Sequence, residues 1–319
     1  MRLTQLLLAF CSVIFAQEVC ADAKKKILII FGNSSHQNYC HNNKEVGLFL
    51  EKKLKASSYA NQFEVTSSYN YPKDLTLVEE ADLIIISSDG GPNHALAEKG
   101  ALTKHTLHLD SVLKKNQTGL MMLHWATDAP SSGFRKYNPV NGPLMIDWIG
   151  AVYYWDKDLQ SSLNSWTWKF PVLELKVNKS HPIANGLPDT FKLQDEYYFN
   201  FFTEGADSRN PKPDNVTYIH TASAADTMAN QDATEQYREQ PVYWACERED
   251  EGRSVALTSA HMYHTWANPH FFKTFANSIL WTLKLPIPEE GADMETPTLE
   301  ELLEMSNKVQ IHTKALHFK

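Results

Sequence analysis

The chain reads as an α/β protein built on a doubly wound, largely parallel sheet. Three observations predict it. Unbroken apolar runs at residues 27–31, 83–86 and 120–123 have the character of strands buried on both faces. Each run stops in a loop of small and polar residues. Stretches of helical spacing lie between successive runs, the repeating pattern of βαβ units.

The elements follow in order. Residues 24–31 form the first strand, ending in Gly32-Asn-Ser-Ser-His36 and then Tyr39-Cys-His41. Residues 42–55 are helical, because Val46, Leu50 and Leu54 recur every fourth position with lysines and Glu51 on the other face. Residues 63–68 alternate as a second strand. Residues 83–87 are the third, ending in Ser88-Asp-Gly-Gly-Pro-Asn-His94. Residues 95–115 are expected to be helical, with Leu102, Leu109 and Val112 inward. Residues 118–124 are the fourth strand, which stops on His124 and runs on to Asp128. The middle of the chain changes character. Residues 133–150 are rich in Pro, Gly and Asn. An aromatic-rich β insertion follows, with strands at 165–170 and 172–177 and the acids Asp195 and Glu196 inside 191–202. Residues 222–240 read as polar loop. Residues 241–245 and 253–259 pair around Glu247-Arg-Glu-Asp-Glu-Gly252. Residues 269–283 are a helix, capped by Asn268 with Pro269 at its first position. The tail after Pro286 holds a short amphipathic helix at 298–307.

This gives three segments: a signal peptide at 1–23, an α/β domain at 24–290 and a C-terminal tail at 291–319. Arg2 followed by the apolar stretch 6–15 is the pattern of a cleaved secretory leader, too short to span a bilayer. It implies a secreted or periplasmic protein with no transmembrane segment in the mature chain. Cys40 and Cys246 remain after cleavage, and two cysteines make no disulfide framework; pairing and free thiols both stay open. A formal charge of -8 excludes an electrostatic nucleic-acid binder. Four Asn-x-Ser/Thr sequons begin at Asn33, Asn116, Asn178 and Asn215.

The topology gives the histidines their meaning. In a parallel sheet the carboxyl ends of the strands share one edge, where ligands bind. The loops bearing His36/His41, Asp89/His94 and His124/Asp128 therefore meet. A core histidine satisfied by one backbone carbonyl is the plain alternative for His124. No Cys or Ser stands at the turn after the fourth strand, which disfavours acyl transfer through a nucleophile elbow. No glycine-rich phosphate loop is present. His36, His124 and His261 could supply nitrogen ligands to one divalent metal, zinc or manganese. The pair Asp195-Glu196 on a strand would face opposite sides, leaving one acid in solvent. Glu196, beside Tyr197 and Tyr198, is then either a buried general acid or base or a plain surface acid.

Several separated motifs carry a resemblance. They are Ser87-Asp-Gly-Gly-Pro-Asn-His94, Gly119-Leu-Met-Met-Leu-His124, His181-Pro-Ile-Ala-Asn-Gly-Leu187, Asp195-Glu-Tyr-Tyr198, Glu247-Arg-Glu-Asp-Glu-Gly-Arg253 and Ser259-Ala-His261-x-x-His264-x-Trp266. In this order they resemble the trehalose-utilisation (ThuA-like) family over residues 24–290. The resemblance implies a flavodoxin-like, class I glutamine amidotransferase-like sheet flanked by helices, lacking the catalytic Cys. Relatives usually carry glycine just before the histidine that matches His261, where this chain has Ala260. The resemblance also implies carbohydrate metabolism.

The expectation is therefore a carbohydrate hydrolase or isomerase with a small sugar as its partner. His124, Glu196 and His261 are the catalytic candidates. Asp89, His94, Asp128, Trp155, Tyr198 and Trp266 are the substrate-binding candidates, and His36, His124 and His261 the metal candidates. A non-catalytic carbohydrate-binding or accessory protein on the same scaffold is the alternative.

Overall fold

The computed structural model describes residues 23–304 except 37–38, 135, 155–164, 169–170, 204–212 and 224–238. The last two residues of the strand expected at 165–170, Trp155 and most of the loop expected at 222–240 lie outside the described residues, as do the leader and the last residues of the tail.

One nine-stranded sheet organises the chain. Its strands are β1 (Lys25–Phe31), β2 (Phe63–Tyr69), β3 (Leu83–Ser87), β4 (Gly119–Leu123), β6 (Val172–Val177), β7 (Thr190–Gln194), β9 (Val216–Ser223), β10 (Glu239–Glu247) and β11 (Arg253–Leu257). Their order is β2-β1-β3-β4-β11-β10-β9-β6-β7, and β5 (Trp166–Trp168) pairs with β8 (Tyr197–Phe199) in a separate two-stranded sheet. The half from β2 to β11 is parallel; from β10 onward the strands run antiparallel. The burial pattern explains the division. β3 and β4 are buried at every position, as parallel strands covered on both faces must be. β6 alternates exposed and buried residues from Val172 to Val177, the mark of a sheet with one wet face.

Helices cover both faces of the parallel half. They are α1 (Asn43–Lys55), the short α2 (Thr76–Glu79), α3 (Lys104–Asn116), α4 (Asn141–Ile149) and α5 (Pro269–Thr282), with the short α6 (Leu299–Glu304) in the tail. Two cores result. Ile27, Ile29, Ile85 and Met121 point to the α1 and α5 side, while Leu28, Ile30, Ile84 and Met122 point to the α3 and α4 side. The cap of α5 is as expected: the Asn268 side chain accepts from the N–H groups of His270 and Phe271, with Pro269 in the first turn.

Three local expectations need correction. The helix expected from residue 95 begins only at Lys104, because the His94 ring accepts the Leu96 N–H and holds this stretch in turns. Residues 141–149, in the loop-like stretch, form α4; the Asn138 side chain accepts from the Val140 and Asn141 N–H groups and starts it, and Pro143 sits in the first turn, where no N–H is needed. Asp195 and Glu196 are both buried, because they lie in the turn between β7 and β8 rather than along one strand. Cys40 and Cys246 form no disulfide among the described residues, and both are buried. No helix among the described residues is long and apolar enough to cross a membrane.

Candidate active site

Strands β1, β3, β4 and β11 are neighbours, and the loops leaving their carboxyl ends converge. His41 follows β1, Asp89 follows β3, His124 follows β4 and His261 follows β11. The turn between β7 and β8 adds Glu196. His41, His124, Glu196 and His261 are each no more than 5% exposed, and one ligand atom from each lies within 4.8 Å of the others.

Backbone geometry fixes these rings. His124 has φ 52 and His41 φ 48, the left-handed region that non-glycine residues seldom occupy and that collects at functional turns. The His41 N–H donates to the His261 carbonyl at 3.0 Å, and the Tyr263 N–H to the Tyr39 carbonyl at 2.9 Å, so the loops after β1 and β11 are laced together. The Asp195 carboxylate braces the loop after β11. It accepts from the N–H groups of Ala260 at 2.7 Å and Met262 at 3.1 Å, from the Thr265 hydroxyl at 2.8 Å and from the Glu196 N–H at 2.8 Å. Burial pushes Asp195 up to about 7, with these hydrogen bonds pulling the other way.

The hydrogen bonds assign the rings. His124 Nδ1 lies 2.5 Å from the Thr258 carbonyl, which can only accept, so Nδ1 carries the hydrogen. Burial, then the nearby His41 and His36 rings, push the His124 pKa well down. The ring is neutral, and its Nε2 lone pair faces the Tyr198 hydroxyl at 2.9 Å and His261 Nδ1 at 3.0 Å. Glu196 Oε1 is 3.7 Å from that nitrogen and 3.4 Å from His261 Nδ1. His41 Nδ1 is 2.8 Å from Asp89 Oδ1. Asn43 Nδ2 donates to the same oxygen at 3.0 Å, and the Ser87 hydroxyl donates to Asn43 Oδ1. Burial works to raise Asp89, but hydrogen bonds from His41, Ser35 and Asn43 outweigh it and hold the carboxyl below its ordinary value.

Above this cluster opens a cavity of about 590 Å³. Trp125, Phe134, Tyr153, Tyr154 and Tyr198 give it aromatic walls, and Asp89, Asp128, Glu196 and Lys136 give it charge. Trp125 stacks on Phe134 with ring centres 5.8 Å apart, and Tyr153 packs on Tyr198 at 4.8 Å.

Of the residues named from sequence, His124, Glu196 and His261 come together, and Asp89, Asp128 and Tyr198 stand on the cavity wall. His36 is exposed and stacks on His41 at 4.1 Å. It belongs to a second group, with His41 and Asp89, and not to the buried four. His94 does not face the cavity: its Nε2 is 3.1 Å from the Ala126 carbonyl, its Nδ1 accepts the Leu96 N–H, and burial lowers its pKa to about 4. Trp266 is fully buried among Phe49, Phe271 and Phe275 and packs the core. The residue sequence reasoning passed over is His41. It sits in the same loop as His36, and spacing alone offered no way to choose between them.

The description that matches the chain is ThuA, trehalose utilisation, over residues 26–282. Among solved structures, a ThuA-like protein from Bacteroides uniformis is 16% identical with a TM-score of 0.55, over 82% of this chain and 93% of that one. A ThuA-like protein from Parabacteroides merdae is 15% identical with a TM-score of 0.53, over 86% and 98%. PurLQS from Thermotoga maritima is 13% identical with a TM-score of 0.41, over 82% and 98%. No curated protein matches the chain.

Proposed function

Because the chain belongs to the ThuA, trehalose-utilisation family, we propose that it is a carbohydrate-processing enzyme that hydrolyses or isomerises a sugar or keto-sugar. The observation that carries this reading is the burial of three imidazoles and a carboxylate together beneath an aromatic cavity. Gathering such groups out of water costs stability, and apolar side chains would fill a purely structural role at lower cost. Perturbed ionisable groups converging on a cleft are the usual mark of chemistry.

The three imidazoles also suit one divalent ion, zinc or manganese, with Glu196 beside them and a position left for water. Around tetrahedral zinc with bonds of about 2.0–2.1 Å, neighbouring donor atoms lie roughly 3.3 Å apart. The His124 Nε2–His261 Nδ1 contact of 3.0 Å is close to that spacing, and Glu196 Oε1 lies 3.7 and 3.4 Å from the same two nitrogens, within reach as a base. His41 and His124 each commit Nδ1 to an oxygen acceptor, Asp89 and the Thr258 carbonyl. That is the outer support which fixes tautomer and orientation in metal-bound histidines. A bound ion would supply Lewis-acid polarisation of a substrate oxygen and an acidified water.

The chain's own groups do the rest. Glu196 accepts a proton from the attacking water or from a substrate carbon. The Tyr198 hydroxyl, on the cavity wall beside His124, positions a substrate oxygen. The aromatic walls take the apolar faces of a sugar ring and exclude water. Asp89 and Glu196 against Lys136, the one basic side chain other than histidine among the described lining residues, favour an unphosphorylated sugar. The leader read at residues 1–23 supports a secreted or periplasmic setting for such a substrate.

The test is a screen of disaccharides and their keto forms with product detection, followed by His124→Ala and Glu196→Gln. Each substitution should lower kcat/KM by about 100-fold or more. Unchanged turnover in either variant would overturn the roles given to these residues, and sugar binding with no turnover by the wild type would overturn the reading in favour of a binding protein.

A further inference from the structure

Asp128 is a carboxyl of a different kind from Asp89, although both line one cavity with Glu196. Its backbone is pinned by a bridge to Tyr153, whose N–H donates to the adjoining Thr127 carbonyl. Its side chain lies against Gly90, where an added Cβ would come within 2.4 Å of Asp128 Cβ and 2.6 Å of Oδ2. Position 90 must therefore be glycine for this carboxyl to sit where it does. Oδ2 accepts the Trp125 indole N–H at 3.1 Å. That is the only side-chain hydrogen bond Asp128 makes among the described residues, and Oδ1 is left without a protein partner on the cavity wall. His36, His41, His261 and Lys136 share the cavity, yet none forms an ion pair with Asp128.

We propose that Asp128 is the general acid of this site, delivering the proton from Oδ1 to the bridging oxygen of an O-glycoside whose leaving group is a sugar alkoxide. The proposal rests on the hydrolytic form of the reading above. Chemistry assigns the proton to Oδ1, because Oδ2 is already an acceptor for an N–H. Loss of hydration in this aromatic corner pushes the carboxyl up to about 7, with only the Trp125 contact opposing it. Asp89, paired to His41, is held on the ionised side. Carboxyls driven apart by their surroundings within one cavity mark a division between acid and base roles.

The step balances. The bond from the anomeric carbon to the bridging oxygen breaks, its electron pair going to that oxygen, which takes the proton from Asp128. The oxygen of a water molecule forms the new bond to the anomeric carbon, and that water's proton passes to Glu196. Exchange with solvent returns both carboxyls to their starting states.

The experiment compares Asp128→Asn with the wild type on two glycosides of the same sugar: a disaccharide and a dinitrophenyl glycoside, whose phenolate leaves without a proton. The variant should lose about 10²–10⁴-fold in kcat/KM on the disaccharide and less than about 10-fold on the aryl glycoside. A general acid acts while protonated, so wild-type kcat/KM on the disaccharide should fall as pH rises through about 7, and this limb should vanish in the variant. Equal losses on both substrates, or no loss on the disaccharide, would overturn the assignment, and a matching melting temperature ensures that misfolding is not the cause. Glu196→Gln should lose both substrates. If the wild type turns over neither glycoside, the hydrolytic reading itself fails, and the role of Asp128 with it.

Discussion

Ala260 holds a backbone conformation better suited to glycine. Its φ is 78, in the left-handed region that costs an L-residue with a Cβ about 1–2 kcal/mol. The strain persists because the Ala260 N–H is held by Asp195 at 2.7 Å and because the next residue is His261. Glycine would relieve the strain but lose more entropy on folding. Ala260→Gly should therefore raise stability by only about 0.5–1 kcal/mol, read as a higher urea midpoint at unchanged slope. A lower midpoint would show that the methyl group packs usefully and that the strain argument is wrong. His36, His41 and His124 share this left-handed backbone, so four residues in or beside the cluster are held in sparsely populated conformations by the loops around them.

At the scale of elements, the turn between β7 and β8 does two things with adjacent acids. Glu196 faces the imidazoles, while Asp195 gathers four hydrogen bonds and ties the turn to residues 260–265. Asp195→Asn puts an NH₂ group where two of those donors point. It should destabilise the protein by about 2–3 kcal/mol through unsatisfied buried groups and weaken zinc binding as the His261 loop loosens. Urea unfolding and a zinc titration measure both; a variant as stable as the wild type would remove Asp195 from this bracing role. The two acids also show where sequence periodicity stops. Alternation along a strand assigned one of them to solvent, but the chain turns between them, and nothing local to residues 194–197 signals that. The same limit hid α4, whose first turn contains Gly142 and Pro143 and reads as loop until Asn138 is seen to cap it. The apolar runs of β1, β3 and β4 were legible because burial on both faces leaves no other composition available to them.

At the scale of the molecule, the parallel half of the sheet turns four separate loops into one site. His124, Glu196 and His261 were legible from strand ends and from the family resemblance. His41 was not, because the choice between it and His36 depends on how the loop after β1 is laced to His261. His94 and Trp266 sit at suggestive sequence positions, yet backbone groups in one case and Phe49, Phe271 and Phe275 in the other occupy them fully. The turn after β7, in the antiparallel half, carries Glu196 to the same site, and β8 of the two-stranded sheet adds Tyr198 to the cavity wall. The most direct measurement of this arrangement is zinc stoichiometry, by elemental analysis of the purified protein after chelation and reloading. The expected result is one zinc per chain in the wild type, retained in His36→Ala and lost in His41→Ala and in His124→Ala. A wild type that takes up no zinc or manganese, or a His36→Ala protein that loses the ion while His41→Ala keeps it, would contradict the assignment of His41, His124, His261 and Glu196 as one centre.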